Sequence, residues 1–221
     1  MAKHIKNENA EAVVEAVSKT EQFFNKNGKK LGILTVLVIV LAAGIFLWSK
    51  FIDAPQKEEA KGAMAYAEEA FRNFDYETAL NGNAEFAGFA EIIDTYGSKA
   101  GESVYFYAGI CALNLNDWES AIEYLKQYNG DDAILSARAK ACLGDAYTGL
   151  EDYSAALGCF EDAANVIDNI YAADYLLKAG ATAEKLGQND KALGYYLIIK
   201  DKYQQSFVGY DIDKYIGRLQ K

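Results

Sequence analysis

Two patterns of apolar and polar positions divide this chain. Over residues 31–49 the sequence LGILTVLVIVLAAGIFLWS runs for 19 positions without a charge. As a helix at about 1.5 Å per residue it would be roughly 28 Å long, which matches a bilayer hydrocarbon core of about 30 Å. Lys29 and Lys30 stand at one end and Trp48, Lys50 and Phe51 at the other, residue types that anchor a span at its two interfaces. A buried core helix rarely lacks a polar side for so many turns, so this stretch predicts a membrane-spanning helix. Beyond it, from Glu58 to Leu219, apolar residues return at helical spacing and strict alternation is scarce, so the body is predicted to be almost wholly helical.

A cleaved signal peptide is the rival reading of the apolar stretch. It needs a short charged leader and small residues soon after the apolar core. Here the leader is 30 residues long with four acids, and the small cluster at 42–44 is followed by Ile45, Phe46, Leu47 and Trp48. The stretch therefore reads as a permanent anchor. Within residues 1–30, Ala10, Val13, Val14, Val17 and Phe24 follow helical spacing with Glu11, Glu15 and Lys19 between them, predicting a short amphipathic helix. Residues 25–28 (Asn-Lys-Asn-Gly) are expected to break it before the lysine pair. Lys19, Lys26, Lys29 and Lys30 precede the span against Lys50, Lys57 and Lys61 after it, a small bias toward an inward N-terminal head and an outward body.

The body repeats. YFYAGICALNLNDWESAIEYLKQY (105–128), KACLGDAYTGLEDYSAALGCFEDA (140–163) and LLKAGATAEKLGQNDKALGYYLII (176–199) align, with Gly109, Gly144 and Gly180 spaced 35 and 36 apart, as are Ala121, Ala156 and Ala192. A period near 34 with this pattern describes a helical hairpin, and the chain here resembles the tetratricopeptide repeat (TPR) family. Small residues where the two helices cross (Gly109 with Ala121, Gly144 with Ala156, Gly180 with Ala192) permit close approach, and large ones such as Trp118, Tyr147, Tyr153, Phe160 and Tyr196 fill the space beside them. The second repeat fits best, with Leu143, Gly144, Tyr147, Ala156, Phe160 and Ala163 in register. No repeat has the family's usual terminal proline, and Tyr128 and Ile199 stand where a small residue is normal.

The expected fold is all-α: one N-terminal transmembrane helix, then a TPR-like helical-hairpin solenoid. Its parts are a cytoplasmic head (1–30), the span (31–49), a linker helix with a degenerate first hairpin (50–101), three repeats (102–205) and a C-terminal capping helix (206–221). The degenerate hairpin is read as helices 63–80 and 86–103 around an insertion at 81–83, and the cap as 210–219, shielding the last apolar face.

Charge narrows the chemistry. The chain carries 22 basic and 32 acidic residues; residues 1–50 have a net charge of +3 and residues 51–221 of −13. So acidic a body is a poor ligand for nucleic acid, whose phosphates are neutralised by Lys and Arg. The single histidine, His4, lies in the head, which excludes a histidine-dependent triad or a two-imidazole zinc site from the body. Cys111, Cys142 and Cys159 form no CxxC pair, and phosphate-loop and GxGxxG patterns are absent. No enzyme, cofactor or metal is expected. The cysteines read as small packing residues, with one disulfide open to them in an oxidising compartment.

What remains is a surface. In stacked hairpins the first helices line the inner face, which places Phe106, Ile110 and Leu113, then Arg138, Ala141 and Asp145, then Asp174, Leu177, Ala181 and Glu184 on a groove for an extended or helical peptide. The order of parts adds to this. AVSKTEQFFNKNGKK, the span, and KFIDAPQKEEAKGAMAYAEEAF leading into TPR hairpins are similar to the YfgM-type ancillary subunits of the bacterial Sec translocon. That resemblance implies an inner-membrane protein with its TPR domain in the periplasm. It also implies partners: SecYEG, and the membrane-anchored PpiD-like chaperone that receives secreted chains. An envelope scaffold for cell-wall or division machinery is the alternative.

Overall fold

The computed structural model describes the backbone of residues 2–220 and the side chains of Glu21 and of residues 25–220. Among these residues there are eleven α-helices and no strand. Two compact units divide at Pro55, residues 1–55 and 56–221.

The first unit is dominated by helix α1 (Ala2–Trp48). Every side chain from 32 to 50 is exposed, and Thr35 Oγ1 donates to the Leu31 carbonyl at 2.9 Å, so that hydroxyl needs no outside partner. The break expected at residues 25–28 does not occur, and α1 runs through it. A glycine costs a helix about 1 kcal/mol relative to alanine and an asparagine less, too little to interrupt a helix continued by so many good formers. The amphipathic stripe expected at Ala10, Val13, Val14, Val17 and Phe24 lies outside the described side chains.

Pro55 follows the apolar stretch yet does not end the helix. A π-helical turn, Ser49–Asp53, leads into α2 (Ala54–Arg72), and the Ala54 N–H donates to the Ser49 carbonyl five residues back. In a regular helix the Pro55 ring would press on the Phe51 carbonyl and supply no N–H. The wider turn falls where that conflict would arise.

The second unit is a run of helix pairs: α2 with α3 (Tyr76–Asn81), α5 (Ser103–Asn114) with α6 (Trp118–Gln127), α7 (Ala133–Gly149) with α8 (Tyr153–Val166), and α9 (Ile170–Lys185) with α10 (Asn189–Lys202). Helix α4 (Phe89–Tyr96) and a 3₁₀ turn (Gly97–Ala100) intervene after the first pair, and α11 (Ile212–Leu219) closes the end.

One joint serves all four pairs. Its left-handed residue is Phe74, Asn116, Glu151 or Gly187, with φ of 61°, 60°, 59° and 72°. The following N–H then reaches back five residues: Asp75 to Ala70, Asp117 to Ala112, Asp152 to Tyr147 and Gln188 to Ala183, at 2.9–3.0 Å. This backward bond closes the C-terminus of the first helix. The same residue opens the second helix, because the Asp75, Asp117 and Asp152 carboxylates accept from the N–H groups of Thr78, Ser120 and Ala155. Gln188 makes no such side-chain bond. Asp152→Ala is therefore expected to cost about 1 kcal/mol and lower the melting temperature by about 2–4 °C, whereas Gln188→Asp raises it. Thermal unfolding followed by circular dichroism checks both signs.

This joint corrects the first hairpin. The helix expected over 63–80 is interrupted at Asn73–Asp75, and the first pair is α2 with α3 rather than 63–80 with 86–103. The signal was present: FDYETAL (74–80) matches NDWESAI (116–122) and EDYSAAL (151–157). In each, the capping Asp precedes a fully buried Ala by four residues, Ala79, Ala121 or Ala156. The loop at 82–88 and helix α4 lengthen this repeat to 42 residues, which hides it from a search at a period near 34.

Packing explains the glycines with one adjustment. A Cβ on Gly109 would lie 2.5 Å from Leu125, one on Gly144 2.5 Å from Phe160, and one on Gly180 2.2 Å from Tyr196. The glycines thus accommodate the large residue one turn beyond Ala121, Ala156 and Ala192, while those alanines are themselves fully buried. Ala163 is fully buried too. The two departures from the repeat pattern have roles: Tyr128 meets the Phe106 ring at 5.7 Å, and Ile199 is buried in the same cluster as Ile212 and Ile216 of α11.

A candidate partner-binding face on the first helices

Helical spacing brings Ile110, Leu113 and Asn114 to one face of α5, and Arg138, Cys142, Asp145 and Gly149 to one face of α7. With Trp118 at the start of α6 and Thr148 they line a cavity of about 510 Å³. Trp118 directly follows the capping Asp117, and its indole lies against Gly149, where a Cβ would come within 2.5 Å of the ring. The polar groups are largely satisfied from within. Thr148 Oγ1 donates to the Gly144 carbonyl and Asn114 Nδ2 to the Ile110 carbonyl, both at 2.8 Å.

The charges are unequal in freedom. Asp145 accepts two bonds from Lys178 Nζ on α9, both at 2.6 Å, and the same ammonium lies 5.6 Å from the Phe160 ring centroid. Arg138 is exposed and has no ion pair or hydrogen bond among the described residues. The cavity thus presents an apolar floor of Ile110, Leu113 and Trp118 with one uncommitted guanidinium at its edge, a combination suited to a carboxylate placed beside apolar side chains.

Four of the expected groove residues therefore meet: Ile110, Leu113, Arg138 and Asp145. The others do not join them. Phe106 is only 7% exposed; it packs with Leu125, Ala139 and Cys142 beneath the face, against Tyr128. Glu184 is taken up by the end of the array, accepting from Tyr196 Oη at 2.6 Å and from Arg218 Nη2 at 2.5 Å. Leu177 is half-buried and packs on the core of the last two pairs. Asp174 is exposed near the start of α9; partial desolvation by its neighbours raises its carboxyl pKa, and Lys178 opposes that. Ala141 is buried and Ala181 exposed, both away from the cavity lining.

The thiols add no reactive group. Burial pushes Cys111 up to about 12. Cys142 goes up to about 11 through burial and the nearby Asp145. Burial, then Asp162, raises Cys159. All three are free and protonated at neutral pH, hence poor nucleophiles. Among the described residues no three His, Cys, Asp or Glu side chains gather as a metal site.

No protein-family model matches the chain, and no curated protein matches it. Its fold is similar to two crystal structures of MamA. One has 20% sequence identity and a TM-score of 0.55, covering 73% of this chain and 86% of that chain. The other has 20% identity and a TM-score of 0.52, covering 70% and 92%. Together with the shared joint of the four helix pairs, this likeness establishes the architecture: a long apolar N-terminal helix followed by an all-helical, TPR-like array.

Proposed function

We propose that this chain is a single-pass membrane protein whose TPR-like array docks partner proteins and carries out no chemistry of its own. Two observations carry the reading. An 18-residue window of the N-terminal helix has a mean hydropathy of 2.7 with none of it buried, and the same chain bears a cavity that joins an apolar floor to an unpaired Arg138. Exposing so apolar a helix to water is costly, at about 25 cal/mol per Å², and a bilayer removes that cost. Tethering then raises the effective concentration of the array near partners in the same membrane.

In finer terms, the chain acts as an ancillary subunit of the bacterial Sec translocon. Its head is cytoplasmic and its array periplasmic, in the inner membrane, and it binds SecYEG and a PpiD-like chaperone to assist secreted or envelope proteins. The support is the resemblance of the FFNKNGKK-to-span junction and of the alanine-rich helix that follows. Photo-crosslinkers placed along residues 31–49 in living cells test this: adducts with SecY and the chaperone are expected. Adducts confined to cell-wall or division proteins would replace the translocon reading with an envelope scaffold.

Arg138→Glu tests the face itself. Co-elution of partners from mild detergent is expected to fall roughly tenfold, the 1.4 kcal/mol of one charge-assisted contact. The melting temperature stays unchanged, because the side chain is exposed and unpaired. Undiminished co-elution would remove the cavity from the docking surface.

A further inference from the structure

The first joint of the array differs from the other three in the residues that surround it. The backward bonds make Ala70, Ala112, Tyr147 and Ala183 equivalent positions. One residue earlier stand Glu69, then Cys111, Ala146 and Thr182; four earlier stand Tyr66, then Ala108, Leu143 and Ala179. In the last three pairs these residues are buried or half-buried. In the first pair both are exposed, Tyr66 by 58%. Asn73 likewise replaces Leu115, Leu150 and Leu186. A terminal unit needs a polar outer face, which accounts for Glu69 and Asn73 but not for an exposed tyrosine with a loop folded onto it.

That loop is the insertion at 82–88. The Asn83 N–H donates to the Phe86 carbonyl at 2.9 Å, and Asn83 Oδ1 accepts from the N–H groups of Glu85 and Phe86 at 2.8 and 3.1 Å. Its two ends touch: a Cβ on Gly82, at φ 73°, would lie 2.5 Å from the Gly88 nitrogen, and one on Gly88 2.3 Å from the Leu80 carbonyl oxygen. Held in this way, the Phe86 ring stacks on Tyr66 with centroids 5.6 Å apart and planes at 18°. The aromatic pair walls a cavity of about 380 Å³ that Glu69, Asn73, Asp75 and Thr78 also line.

The cavity is rich in acceptors, and no basic residue lines it. The Glu69 carboxylate has no ion pair or hydrogen bond among the described residues. Asp75 commits Oδ1 to the Thr78 N–H at 3.2 Å and leaves its other oxygen open to the cavity's contents. The nearest bases along the chain serve other partners: Lys61 holds Glu58 at 2.9 Å, Arg72 lies 3.7 Å from Glu68, and Lys99 donates to Gln56. Aromatic rings beside two carboxylates select a flat cation with several donors. A guanidinium offers five N–H groups in one plane and stacks on aromatic faces, whereas an ammonium is a compact point charge. Free arginine would bring an α-carboxylate that finds no cation here; within a polypeptide that group is an amide. We infer that this cavity receives the guanidinium of an arginine side chain presented by a partner protein. It is separate from the Arg138 cavity, which takes the opposite charge.

The test uses the full-length chain in zwitterionic lipid nanodiscs and a blocked peptide, acetyl-Gly-Arg-Gly-amide, followed by saturation-transfer NMR with irradiation of the protein's aromatic protons and empty nanodiscs as the blank. Transfer to the arginine side-chain methylenes is expected. It should fall at least threefold when citrulline, the same shape without the charge, replaces arginine, and at least threefold when lysine does. Glu69→Gln and Tyr66→Leu are each expected to lower it at least threefold. Glu69→Gln should leave the melting temperature unchanged, because the carboxylate is exposed and unpaired, so its loss of binding cannot come from unfolding. Equal transfer to the citrulline or the lysine peptide overturns the inference, as does wild-type transfer in Glu69→Gln. Stronger transfer to free L-arginine than to the blocked peptide also overturns it, since the cavity would then belong to a small molecule and not to a partner protein.

Discussion

Phe160→Ala is expected to be the most damaging single change in the array, costing about 3–5 kcal/mol. The ring is 2% exposed and fills the space opposite Gly144, where a Cβ would lie 2.5 Å away. That geometry makes a sharper test. Gly144→Ala on its own forces a methyl into the ring and should cost about 1–3 kcal/mol. With Phe160→Leu, which withdraws the ring, the double variant should lose clearly less than the sum of the two single losses, because residues in contact couple by about 0.5–3 kcal/mol. Urea unfolding of the four proteins in one detergent measures this, and strictly additive losses would show that the glycine is not there for the ring. The change also reaches the candidate site, because Lys178, which holds Asp145 with two bonds, rests over the same ring. Phe160→Ala should loosen that ion pair and weaken partner capture beyond what instability alone predicts.

Placing two aspartates in the span, Val38→Asp with Leu41→Asp, is expected to move the chain from the membrane pellet to the soluble fraction after an alkaline carbonate wash. Both residues are more than half exposed. Each aspartate near the centre of a span costs about 2.5–3.5 kcal/mol on insertion scales, and two of them together with the two lost apolar side chains offset the gain of a lone span. The array itself should still melt as the wild type does, because its helix pairs have their own buried clusters. A wild-type chain already found in the soluble fraction would end the membrane reading.

The architecture was legible in the sequence because its signals are local. The apolar stretch is one uninterrupted run, and Gly109, Gly144 and Gly180 each meet a large residue of their own hairpin, so the same short pattern recurs at a regular spacing. The first hairpin was misread for the opposite reason: the inserted loop and α4 displaced Ala79 from the common period, although FDYETAL carries the same cap and the same buried alanine. Glu184 and Phe106 depart from the expected groove because of long-range partners. Nothing in α9 announces that Glu184 is claimed by Arg218, 34 residues away, since that pairing exists only once α11 folds back. Phe106 sits at an inner-face position, but Tyr128, standing where a small residue is usual, draws it into the space between units. Trp118 was assigned to packing on its size; that it also walls the cavity depends on Gly149, which lies on the next pair. Arg138 was readable because its freedom requires no partner at all.

The grip of α11 on Glu184 has a consequence for how this molecule ages. The segment 203–211 that leads into α11 displays Phe207 and Tyr210 almost fully to solvent, a natural target for proteases. A cut there would release a single short lid, leaving Ile199 and Tyr196 bare and a carboxylate without its cation. The end of the array would then expose the apolar face that α11 covers, making that end the part of the molecule most open to non-specific adhesion.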